Sequence, residues 1–87
     1  MDRQIVIVNK LGLHARPAMQ FVDTANKYQS SIKVCKGDLV VDGKSIMQMM
    51  MLAATMGTSL KIVAEGDDAE KALVALEKLI KGRFGEE

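Results

Sequence analysis

Along this chain the spacing of apolar side chains changes repeatedly, from alternate residues to every third or fourth, and this change of period does most to narrow the fold. Ile5 to Val8 is an unbroken β-branched run closed by Asn9, which predicts a buried strand. From Pro17 onward, Ala18, Phe21, Val22 and Ala25 recur at helical spacing, and the stripe ends near Tyr28. Ser31 to Lys36 then alternates, with Ile32 and Val34 on one face. Gly37 and Asp38 turn the chain into a second short strand, Leu39 to Val41, which Asp42 and Gly43 end. Strands joined by so tight a turn pair antiparallel. Ser45 has the side chain of an N-cap and precedes a run of Ile and Met that Gly57 terminates. Leu60, Ile62 and Ala64 alternate in a further strand broken by Gly66 and Asp67. The last helix is the clearest. Asp67 is placed to cap it with Glu70 three residues on, and Ala69, Ala72, Leu73, Leu76, Leu79 and Ile80 share one face up to Gly82. The order is βαββαβα, an α+β pattern whose economical arrangement is one sheet with helices over one face.

Length and composition limit what such a fold can do. Residues 1–87 are expected to form one domain, because a chain this short has room for one core. With 48% apolar and 26% charged residues it is too hydrophobic for disorder and too charged for a membrane span. A net charge of +1 supplies no field to gather nucleic acid or anionic lipid, so partners are recognised by local patches. The aromatic residues are only Phe21, Tyr28 and Phe84, and no basic strip accompanies them, which argues against a nucleic-acid-binding domain. Cys35 stands alone, cannot form an internal disulfide and is read as a packed thiol. The opening MDRQIVIVNK is too short in apolar residues for a signal peptide, so a cytoplasmic protein is expected.

The only histidine and the only proline lie together in LGLHARPA, residues 11–18. Pro17 fits the first turn of a helix, where its missing N–H costs no internal bond, so His14 falls at the helix N-terminus. There unpaired N–H groups and the macrodipole form a ready anion site. Arg16 adds a planar guanidinium that can bond two phosphate oxygens, and Gly12 lets the preceding loop bend. A helix N-terminus also disfavours a protonated imidazole, leaving a ring nitrogen free to attack phosphorus. No carboxylate or second histidine lies in this segment, so neither a metal site nor a cofactor is expected. The pattern suggests a histidine that becomes phosphorylated. The bland alternative is a surface histidine near a helix cap.

LGLHARPA, together with GKSIM at residues 43–47 and AEGDDAEKAL at 64–73, makes the chain similar over nearly its whole length to HPr, the histidine phosphocarrier family of the bacterial sugar phosphotransferase system. The resemblance implies an open-faced sandwich, with three helices on one face of a four-stranded antiparallel sheet. It implies that His14 accepts a phosphoryl group on Nδ1 from phosphorylated Enzyme I and passes it to sugar-specific A domains, with Arg16 steadying the phosphate. Such a chain is a relay, not an enzyme with its own turnover, and is expected to be monomeric. Capping accounts for Ser45 by itself, at about 1 kcal/mol. The resemblance adds regulatory phosphorylation of Ser45 by an HPr kinase/phosphorylase in organisms that have one. Gln48 and Met51 depart from the residues often found in such regulated relatives.

The second helix carries more apolar residues than a short helix on a sheet can bury. Met49, Leu52, Ala53 and Met56 form one stripe, expected to face the core; Ile46, Met47, Met50 and Ala54 form another. The resemblance assigns Ile46, Met47 and Met50 to a docking patch, a use that flexible methionines suit. Lys10, Lys27, Lys36 and Lys44 read as solvated charges, and the tail GRFGEE as a frayed end. Two alternatives stay open: a regulatory carrier of the nitrogen-related phosphotransferase branch, and an interaction module in which His14 is incidental.

Overall fold

The computed structural model describes residues 1–86. The elements run β1 (Asp2–Val6), α1 (Ala15–Ala25), β2 (Ser31–Lys36), β3 (Leu39–Asp42), α2 (Ile46–Met51), β4 (Ser59–Glu65) and α3 (Ala69–Lys81), followed by a 3-10 turn at Arg83–Gly85. The strands form one sheet in the order β1-β4-β2-β3, with every neighbouring pair antiparallel. At the hairpin Lys36 faces Leu39, leaving the two-residue loop Gly37–Asp38, whose glycine has a φ of 58°.

One face of the sheet is covered. Ile5, Ile32, Val34, Val41, Leu60, Ile62 and Ala64 point into a core completed by Ala18, Phe21, Val22 and Ala25 of α1, Met49 of α2, and Ala69, Ala72, Leu73, Leu76 and Ile80 of α3. Each large aliphatic or aromatic side chain in this set contributes about 1.5–3 kcal/mol through burial. The open face explains the first departure from the sequence reading. The run Ile5–Val8 is not buried on both sides: Ile5 and Ile7 are buried while Val6 and Val8 are exposed, because only one face has helices over it. The strand also starts earlier and ends at Val6, although the ladder is prolonged by Ile7 N–H donating to Thr58 O (2.9 Å) and Gly57 N–H to Ile7 O (2.7 Å). Cys35 sits on the open face and is half-buried, opposite Val40 and Lys61, not packed away.

α2 is much shorter than its composition suggests. It stops at Met51, with Leu52 as C-cap, and Ala53 turns into the left-handed region with a φ of 48°. Helical spacing therefore ceases to govern beyond Leu52. Met49, Leu52 and Ala54 are buried, whereas Ala53 and Met56, assigned to the core by periodicity, are exposed. The chain end also differs from the frayed tail expected. α3 closes at Gly82, and left-handed φ values at Arg83 and Phe84 (58° and 54°) swing Phe84 into the core, where it is 3% exposed.

Polar contacts fasten the helix ends. Asp68, not Asp67, is the N-cap position of α3, and its carboxylate accepts from Gln29 N–H (2.9 Å), Ser30 N–H (2.9 Å) and Ser30 Oγ instead of capping its own helix. These bonds, with the Ser30 hydroxyl first, pull the Asp68 pKa from 3.8 down to about 2. Lys44 Nζ donates to Tyr28 O (2.7 Å) just past α1, and Lys36 Nζ to Leu52 O (2.8 Å) at the end of α2. Both lysines cap carbonyls where cations favour the helix dipole, so neither is a freely solvated charge.

Candidate functional site

The loop before α1 is fixed from two directions. Asn9 continues the buried phase of Ile5 and Ile7 and is fully buried. Its carbonyl accepts from Gly12 N–H (3.1 Å) while its Nδ2 donates to Gly12 O (2.7 Å), closing a tight bracket. From the other side Leu13 N–H donates to Ala54 O (2.8 Å). Gly12 has a φ of 68°, and a Cβ there would run into the Ala54 carbonyl and lie 2.8 Å from Thr55 Cα. Only glycine allows this approach.

His14 leaves the bracket as N-cap of α1, with φ −79° and ψ −172°, and its carbonyl takes the first helical bond from Ala18 N–H (3.0 Å). Its side chain makes no capping bond, so the ring is available for other contacts. Pro17 occupies the third helical position, and the Ala15 and Arg16 N–H groups have no intrahelical acceptor by position. Arg16 is exposed beside this end, and its charge reaches as far as Glu86. His14 is thus the N-cap of α1, and the exposed Arg16 lies in the first turn of the same helix. An oxyanion placed here would find the positive end of a helix, free backbone donors and a bidentate cation.

The fold adds a neighbour absent from that spacing. Glu86 Oε1 lies 2.9 Å from His14 Nε2 and also accepts from Asn9 Nδ2 at 2.9 Å. The His14 side chain remains 37% exposed and that of Glu86 only 19%. The contact with His14 is the foremost cause that holds the Glu86 carboxyl below its ordinary range, with Asn9 and the Arg16 charge contributing less. The segment around His14 holds no carboxylate, but the tail delivers one from 72 residues away. In the sequence Asn9 only closes an apolar run and Glu86 carries no signal; that Asn9 falls in the buried phase shows only once one face of the sheet is known to be open.

Ser45 lies at the start of α2, where its Oγ accepts from Gln48 N–H (3.2 Å), and Gln48 Oε1 in turn accepts from Asp42 N–H (2.8 Å). That second bond ties the end of β3 to the helix. Beyond Ser45, α2 shows solvent an apolar surface: Ile46 is 40%, Met47 81% and Met50 47% exposed. α2 packs against α1, so this surface belongs to the same side of the molecule as the helix pair. Among the described residues no group of three His, Cys, Asp or Glu is arranged to hold a metal ion.

The sequence model of the family described as the PTS HPr component phosphorylation site matches residues 1–82. The chain belongs to the HPr family. Relatives agree with that placement at full length. The phosphocarrier protein HPr of Pseudomonas aeruginosa is 50% identical over 84 residues, which span 95% of this chain and 93% of the relative. The crystal structure of HPr-C-His from Thermoanaerobacter tengcongensis superposes with a TM-score of 0.96 at 50% identity, covering 100% of this chain and 98% of that one. A structure described as an HPr dimer from the same organism gives 0.81 at 52% identity, with 94% of each chain covered. The HPr fold thus accounts for the sheet order and for the three helices on one face. As a member of this family the chain is a phosphocarrier of the phosphotransferase system.

Proposed function

We propose that the phosphoryl group rides on His14, received from phosphorylated Enzyme I and surrendered to sugar-specific A domains. The observation that carries this reading is a part-exposed imidazole set at the N-terminus of α1 beside the exposed Arg16. Phosphoryl transfer demands little covalent chemistry of such a carrier, because loose transition states are stabilised mainly by placed positive charge and alignment. Arg16 and the Ala15 and Arg16 N–H groups supply that charge to the incoming oxygens. The apolar surface of Ile46, Met47 and Met50 serves as the docking patch, where flexible side chains adapt to partners of different shape. In this reading the carrier has no turnover of its own and works in the cytoplasm as a monomer, since one His14 face meets donor and acceptor in turn. A sedimentation mass of two chains instead would match the relative described as a dimer.

Incubation with Enzyme I and labelled phosphoenolpyruvate tests the relay. An acid-labile, base-stable label is expected on the wild type and none on His14→Ala; equal labelling of both rejects the reading. Ser45 is the second proposed acceptor, modified by an HPr kinase/phosphorylase. Its support is position: Ser45 precedes a first turn that contains no acidic side chain, so a phosphate there meets helix N–H groups without like-charge repulsion from that turn. An acid-stable, ATP-dependent label that disappears in Ser45→Ala is expected with a competent kinase, and its absence rejects the role.

A further inference from the structure

We infer that Glu86, supplied by the chain's tail, is a positioning residue that fixes which nitrogen of His14 is nucleophilic; the inference rests on the carrier reading above. The carboxylate is an acceptor only, so the 2.9 Å contact with Nε2 requires a proton on Nε2. In the neutral ring the lone pair then lies on Nδ1, with the ring held at one rotation about its bonds. Glu86 is itself held. Asn9 Nδ2 donates to the same oxygen and is anchored by Gly12 O, while Phe84, two residues earlier, is locked in the core. The three side chains Asn9, Glu86 and His14 thus form a chain of contacts whose first two members are more buried than the third.

The electron balance of transfer gives this arrangement a purpose. The Nδ1 lone pair forms the new N–P bond, and the electron pair of the donor's bond to phosphorus departs with the donor. The ring keeps its Nε2 proton, so it gains positive charge as the bond forms. Glu86 faces that charge directly, much as a carboxylate orients and steadies the imidazole in other histidine sites. Nothing has to leave Nε2, and the protonated ring is the better leaving group when the phosphoryl group moves on.

Nitrogen NMR of the His14 ring in the full chain reads the tautomer, and uptake of label from phosphorylated Enzyme I reads the rate. Wild type is expected to show the Nε2–H form alone. Glu86→Ala is expected to show a mixture of tautomers and to accept phosphoryl groups roughly tenfold more slowly. Glu86→Gln keeps an accepting oxygen, so it is expected to restore the single tautomer yet remain slower than wild type for lack of charge. A wild-type rate in Glu86→Ala, or a tautomer ratio that this change leaves unmoved, overturns the assignment. The tautomer needs no donor protein: a wild-type chain that takes up no label overturns the carrier reading, while the NMR arm still decides whether Glu86 orients the ring.

Discussion

Two residues show how narrowly the fold is built. Gly12 combines a left-handed φ of 68° with a backbone carbonyl and a Cα where a side chain would go. Gly12→Ala is expected to destabilise the fold by about 1–3 kcal/mol from backbone strain alone, with displacement of Ala54 adding to it. Urea denaturation measures the loss, and a fall in midpoint with unchanged slope is the expected form. Asp68 is the second. Its carboxyl titrates near 2 when folded against 3.8 ordinarily, so the folded state binds the proton less readily than the unfolded one. The stability it contributes is full above pH 4 and is lost as the pH falls through its folded value. Asp68→Asn is therefore expected to be less stable than wild type at neutral pH and to flatten the stability profile between about pH 4 and 2, as thermal melts across that range would record. Neither contact is visible in sequence, since Gly12 meets Ala54 and Asp68 meets Ser30 only after folding.

At the scale of one element, α2 separates a buried methionine from an exposed one within a single turn, the exposed side being the proposed docking patch. Met49 is fully buried and Met47, two residues earlier, is 81% exposed. Met49→Ala is expected to cost about 2–5 kcal/mol, the range for a truncated core aliphatic. Met47→Ala is expected to stay within about 0.5 kcal/mol of wild type while weakening transfer to partners that use the patch. Paired denaturation and transfer assays distinguish the two, and a large stability loss in Met47→Ala would remove the docking role from that side chain. Composition alone pointed to two apolar faces on this helix. It overran the C-terminus because nothing local stops Met-rich sequence; the stop at Leu52 comes from tertiary contacts, with Ala54 drawn in to pair with Leu13 and Lys36 capping Leu52 O.

For the molecule as a whole, the tail is part of the structure that makes the site. Phe84 completes the core after α3 has ended, and it places Glu86 against Asn9 and His14. Phe84→Ala is expected to lose about 3–5 kcal/mol, which lowers the melting temperature of a domain this size on the order of 15 °C or more. The same change frees Glu86, so phosphoryl uptake at low temperature, where the variant is still folded, is also expected to fall. Calorimetry alongside the labelling assay checks both effects.

The sequence by itself determined the order of the elements, the inward faces of β2, β4, α1 and α3, and the position of His14 and Arg16 at a helix start, because all of these depend on periods and spacings of a few residues. Tertiary structure alone decided which side of β1 is buried, where α2 ends, and what stands on the far side of the imidazole. Those outcomes depend on residues separated by tens of positions, such as Leu13 with Ala54 and His14 with Glu86, and the energy that selects them appears only when the core brings the segments together.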